Sequence, residues 1–142
     1  MSYLLDTDVV SEWTHPTPDP RVVAFLETTD EDTMFLSVVT LAELRRGVDG
    51  LPAGRRRAAL RDWLDHDLID RFDSRILGID RDVAATWGRI MAQAERRGRA
   101  PGVMDAWIAA IAEVHALTVA TRNTADFALL LRNVFNPWAT EP

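Results

Sequence analysis

Asp6 closes the short apolar run Tyr3-Leu4-Leu5, and Asp8 follows two residues later. Glu43 sits in Thr40-Leu41-Ala42-Glu43. Asp105 lies between Met104 and Trp107-Ile108, early in the most apolar helix-like segment of the chain. Asn123 and Asp126 follow the run Leu117-Thr118-Val119-Ala120. Charged side chains are seldom fully buried unless they are paired or bound to metal. Carboxylates gathered in one place raise each other's pKa, and a divalent cation removes that penalty. Oxygen-only ligands suit magnesium or manganese, which bind through one or two carboxylates together with water and substrate phosphate. Acids such as Asp6, Glu43 and Asp105, if they meet, could hold such a cation, and a bound cation can activate water. Zinc is not suggested, because the chain has no cysteine and no His-x-x-x-His pair. His15, His66 and His115 are far apart and read as structural or surface residues.

Each acid also has a local structural reading. Asp6 and Asp8 can cap the next helix, and Asp8 is the one expected to do so. Glu43 fits a capping box with Thr40 as N-cap, and Val39 and Leu44 can form its hydrophobic staple. Asn123 with Asp126 can form a further cap. Asp105 has the weakest local explanation, and the positive end of its helix would help keep it ionised. The set, more than any member, carries the reading.

The elements that must position these residues follow from periodicity. Tyr3–Leu5, Met34–Leu36, Ile76–Ile79 and Leu117–Ala120 read as short buried strands, and Val134-Phe135 as an edge strand. Helices are expected after Asp19-Pro20, over Thr40 to about Gly47, Pro52–Asp65, Asp82–Arg97 and Val103–His115. A short one runs from Thr124 to about Leu131. Apolar strands alternating with helices imply an α/β fold with a mostly parallel sheet covered on both faces. Ligands in such sheets bind at the carboxyl ends of the strands. Asp6 and Asn123 would sit just past such ends, with Glu43 and Asp105 in first turns of helices.

The chain has 142 residues, 47% hydrophobic and 27% charged, which suits a single domain over 1–142. Its net charge of −6 argues against a simple basic nucleic-acid-binding module, but not against an enzyme that clusters acids around a cation. All 16 basic residues other than histidine are arginine. Arg45-Arg46, Arg55-Arg56-Arg57 and Arg96-Arg97-Gly98-Arg99 form basic islands. Such runs usually solvate helix faces, but Arg96 and Arg97 are candidates to hold a phosphate backbone near the site. The N-terminus reads as no signal peptide and no segment reads as a membrane span, so a cytoplasmic location is expected.

Four segments in order, Leu4-Leu5-Asp6-Thr7-Asp8-Val9-Val10-Ser11-Glu12, Leu36 to Gly47 around Glu43, Asp105-Ala106-Trp107-Ile108-Ala109-Ala110 and Thr121-Arg122-Asn123-Thr124-Ala125-Asp126-Phe127, together with Asn136-Pro137-Trp138, cover nearly the whole chain. In these the chain resembles the PIN domain and, within it, the VapC-type toxins of bacterial toxin–antitoxin pairs. The resemblance implies a three-layer α/β/α sandwich and an endoribonuclease that requires Mg2+ or Mn2+, held by Asp6, Glu43 and Asp105. The fourth acidic position of the wider family falls at Asn123, which adds no charge; Asp126 can compensate or only cap. Asp8 stands where asparagine is common. Thr40 and Thr121 are expected to steer ligands, and Thr121, Arg96 and Arg97 to meet RNA. A small antitoxin is expected in a groove whose apolar walls include Leu44, Val48, Leu51, Leu60 and Trp63, and a homodimer is expected as well. One rival is a PIN-like module that binds RNA or protein and cuts weakly or not at all. Another is a haloacid-dehalogenase-like phosphatase, which Asp6-x-Asp8 superficially fits, but the lysine that class needs is missing.

Overall fold

The computed structural model describes residues 1–139. Five strands form one parallel sheet: β1 (Tyr3–Leu5), β2 (Met34–Ser37), β3 (Ile76–Leu77), β4 (Thr118–Ala120) and β5 (Val134–Phe135), in the order β3-β2-β1-β4-β5. Successive strand residues point to opposite faces, and the packing follows that rule. Leu5, Leu36 and Ala120 join a core on one side, whereas Leu4 and Val119 join a core on the other.

The helices divide accordingly. On the first face lie α1 (Thr7–Ser11), α2 (Pro20–Thr28) and a long helical arm. They contribute Val9, Val10, Val22, Phe25, Leu64, Leu68 and Phe72 to the core. On the second lie α6 (Arg81–Arg96), α7 (Val103–Val114) and α8 (Thr124–Ala128), with Val83, Ile90, Ile108, Ile111 and Phe127 buried against the sheet. The helix α3 (Val38–Asp49) feeds both cores, Leu44 and Val48 on one side and Val39 on the other. The result is the expected three-layer arrangement, with every strand crossover carried by helix.

Asp19 caps α2, accepting from the Arg21 N–H at 2.9 Å, with Pro20 at the first helical position. Other expectations need correction. The cap of α3 is Ser37, whose hydroxyl accepts from the Thr40 N–H at 3.1 Å. Thr40 is therefore inside the helix, Glu43 lies in its second turn instead of its first, and no capping box forms. The helix expected over Pro52–Asp65 begins later, as α4 (Arg55–Asp62), and continues through a π-helical stretch, Trp63–Leu68, into α5 (Ile69–Phe72). This extension past Asp65 brings Leu68 and Phe72 onto the core after Leu64, at four-residue steps. Arg75 closes this arm, donating to the carbonyls of Met34 at 2.6 Å and Arg71 at 2.7 Å, and also to that of Glu31.

Candidate active site

The strand order places β1 between two halves of the sheet. The chain builds outward through β2 and β3 on one side, then returns to build β4 and β5 on the other. Such a reversal opens a crevice at the carboxyl ends of the two adjacent strands. Leu5 pairs with Ala120, so β1 and β4 end level. The next residues, Asp6 and Thr121, are thereby set side by side, and the Asp6 N–H donates to the Ala120 carbonyl at 2.9 Å.

Asp6 is buried, at 7% exposure. Its Oδ1 accepts from the Thr7 N–H at 2.8 Å, which makes Asp6, not Asp8, the cap of α1. Its Oδ2 accepts from the Thr121 hydroxyl at 2.7 Å. Burial and then the charge of Asp8 push its pKa up to about 7, against the Thr121 and Thr7 hydrogen bonds, with a further push from Asp105. Asp8 is displaced from capping because its Oδ2 reaches across to the Arg122 N–H at 3.0 Å. Burial raises its pKa as well, with that N–H opposing. Its Oδ1 is buried and has no hydrogen-bond partner among the described residues.

The other acids arrive on helices. Glu43 Oε1 accepts from the Thr7 hydroxyl at 2.7 Å, and the Thr40 hydroxyl lies 3.2 Å from that of Thr7. Asp105, in the first turn of α7, has its pKa raised by burial and then by the charges of Glu43, Asp126 and Asp8. Its Oδ2 accepts from Asn123 Nδ2 at 3.3 Å. Asn123 makes no side-chain cap to α8, contrary to its local reading; its own N–H donates to the Thr121 hydroxyl at 2.9 Å. The fold thus brings Asp6, Asp8, Glu43, Asp105, Asn123 and Asp126 within electrostatic or hydrogen-bond reach of one another. Thr121 touches Asp6, Asp8 and Asn123, and Thr7 touches Asp6 and Glu43.

Asp105 and Asp126 line one cavity of 340 Å³ with Arg99 and Gly102. Arg96 and Arg97 end α6 and do not line it; Arg99, which sequence reasoning left out of the site, does. Its only signal was its place in the arginine island ahead of Asp105. Glu43 instead borders a groove of 470 Å³ that also holds Leu44, Val48, Leu51, Leu60 and Trp63, the five apolar residues read as groove walls.

The donor set fits a hard divalent cation. All its atoms are oxygens, one carboxylate oxygen is buried without a partner, and one acid is held far above its ordinary pKa by burial among like charges. Among the described residues, however, no three acidic side chains close into a complete ligand set. Glu43 is turned to Thr7 and Asp105 to Asn123, so water and substrate would complete a shell, as magnesium prefers.

A parallel α/β sheet with carboxylates at its switch point defines a class, and comparison with known proteins gives the family. The PIN domain family model matches residues 3–130, and the chain belongs to that family. Toxin FitB of Neisseria gonorrhoeae is 42% identical over 135 residues, covering 95% of this chain and 97% of that protein. VapC ribonuclease Y4jK of Sinorhizobium fredii is 37% identical over 95% of this chain and 96% of its own. The crystal structure of FitAcB from Neisseria gonorrhoeae matches with a TM-score of 0.92 at 41% identity, covering 97% of this chain and 99% of that one.

Proposed function

We propose that this chain is an endoribonuclease dependent on Mg2+ or Mn2+, that it is the toxin of a toxin–antitoxin pair, and that residues 1–142 act as one PIN unit. The observation that carries the proposal is the buried carboxylate of Asp6, held by Thr7 and Thr121 within the field of Asp8 and Asp105. A protein has little reason to collect uncompensated acids at a sheet edge unless a cation joins them. The relatives named as a toxin and as a ribonuclease support the same reading.

Asp6 and Asp105 are assigned as direct ligands, with Glu43 binding directly or through water. Those residues would hold the ion, and the chemistry it would supply there is activation of a bound water and neutralisation of phosphate charge. The protein's own groups supply position. The Thr121 hydroxyl fixes Asp6 Oδ2. The Thr7 hydroxyl holds Glu43 Oε1 and leaves Oε2 to accept a hydrogen bond from the attacking water. The Asn123 amide orients Asp105, and Asp8 and Asp126 add negative charge around the ligands. Arg99, at the rim of the Asp105 cavity, is placed to meet the RNA backbone.

The antitoxin is assigned to the groove beside Glu43, whose apolar walls suit an amphipathic helix. A segment seated there would lie against both Thr7 and Glu43, so binding and inhibition would be one event. A homodimer and a cytoplasmic location remain part of the proposal; among the described residues, no helix is long and apolar enough to cross a membrane.

The test is cleavage of a single-stranded RNA by purified protein. Cleavage with Mn2+ or Mg2+, stopped by chelator and reduced at least about 100-fold in Asp105→Asn, is expected. Metal-independent cleavage, or full activity in that variant, overturns the assignment.

A further inference from the structure

A further cavity, of 580 Å³, is lined by Asp8 and has no part in the scheme above. Its volume lies within the usual range for small-ligand sites. Asp8, Glu12, Asp19, Arg122 and Trp138 line it. Arg122 is exposed and forms no ion pair among the described residues. Its guanidinium carbon instead sits over the Trp138 ring, 4.3 Å from the centroid. The indole beneath is 5% exposed, and its N–H is buried without a partner among the described residues. A planar cation is thus held against tryptophan and remains open to solvent.

The walls beside it are acidic. Glu12 spends one carboxylate oxygen on the Asp19 N–H, at 3.0 Å, and keeps the other. Asp19 is ion-paired to Arg21. With Asp19 already paired, the carboxylates of Asp8 and Glu12 beside the Arg122 guanidinium disfavour a phosphate. They favour a flat ligand that stacks on the guanidinium and donates hydrogen bonds from its edge. Single-stranded RNA is read in this way, by bases stacked on aromatic or arginine planes and bonded along their Watson–Crick edges. Among the four bases, guanine alone presents an imino and an amino donor side by side, and the two lone pairs of the free Glu12 oxygen can accept from both.

We propose that this cavity is a guanine-selective nucleobase subsite, Arg122 stacking on the base and the Glu12 side of the wall accepting from its edge. It rests on the ribonuclease reading for its role: because Asp8 borders both the cavity and the acidic cluster, a base seated here places the neighbouring phosphate toward Asp6 and Asp105. Arg122 and Glu12 are thereby specificity residues, and neither belongs to the ligand set.

The test is NMR titration of the full chain in EDTA with GMP, AMP, CMP, UMP and inorganic phosphate, following the Trp138 indole N–H resonance. GMP is expected to shift that resonance at the lowest concentration, and phosphate not to shift it. Arg122→Ala should weaken GMP binding on the order of tenfold, and Arg122→Lys, which keeps the charge and loses the plane, should recover little of it. Glu12→Gln should narrow the preference for GMP over AMP. Equal binding of all four nucleotides, a response to phosphate alone, or full rescue by lysine overturns the subsite. Cleavage of RNA with Mn2+ by the same preparations reads the parent proposal separately. Guanine binding without cleavage removes only the nuclease reading, and cleavage without base preference in binding removes only the subsite.

Discussion

Thr121 carries more of the site than its chemistry suggests. One hydroxyl donates to Asp6, accepts from the Asn123 N–H and lies 3.5 Å from Asp8. Thr121→Val should cost about 1–3 kcal/mol in urea unfolding, because buried partners are left unpaired. It should weaken manganese binding roughly 10–100-fold, and Thr121→Ser should restore both. Asp6 yields a pH prediction. Its folded pKa, about 7, lies above its ordinary 3.8, so the fold prefers the protonated form. That contribution to stability is complete below about pH 4 and is lost as pH rises through about 7. In metal-free protein, Asp6→Asn should therefore lose less stability than the wild type between about pH 4 and about pH 8, while abolishing cleavage. A thermal melt in EDTA that moves the other way contradicts the assignment of Asp6 as a buried, uncompensated acid. The sequence made Asp6 and Asp105 legible because apolar neighbours left each acid poorly explained. It hid the role of Thr7, whose hydroxyl crosses from α1 to Glu43 on α3; Thr121 was expected to steer ligands, although its contact to Asp6 crosses from one strand end to another.

Elements were legible where a single period or a cap governs them. Asp19-Pro20 announces α2, and the apolar runs of β1, β2 and β4 announce the sheet. Errors arose where two local signals compete. Ser37 and Thr40 both suit an N-cap, and the strand's end at Ser37 decides between them. Ser37→Ala should cost about 0.5–2 kcal/mol, whereas a Thr40→Val change should leave helix content unaltered and remove the Thr7–Thr40 contact; circular dichroism and urea unfolding separate the two. The arm from Arg55 to Phe72 misled for a different reason. The polar run Asp65-His66-Asp67 suggests a stop, but a π-helical stretch carries the arm onward, and Leu68 and Phe72 continue the buried row of Leu64 at four-residue steps.

At the scale of the whole molecule, an acidic chain must still attract an acidic polymer. The net charge of −6 counts against it, and the proposed solution is local: a cation within the carboxylates and arginine at the rim. Arg99→Glu should slow RNA cleavage and flatten its salt dependence, with a larger effect than Arg96→Glu, since only Arg99 lines the cavity of Asp105. Equal effects at the two positions would return the RNA path to the end of α6. The alternative of a PIN-like module without catalysis draws its weight from Asn123, whose amide donates to Asp105 where a further acid would ligate.

The most direct test of the central claim is calorimetric titration of Mn2+ into the metal-free protein at pH 8, beside Asp6→Asn and Asp105→Asn. The account predicts saturable binding to the wild type and a loss of at least about tenfold in affinity in each variant. Wild type that binds no manganese, or variants that bind it equally well, would contradict the claim that these acids are gathered to hold a metal.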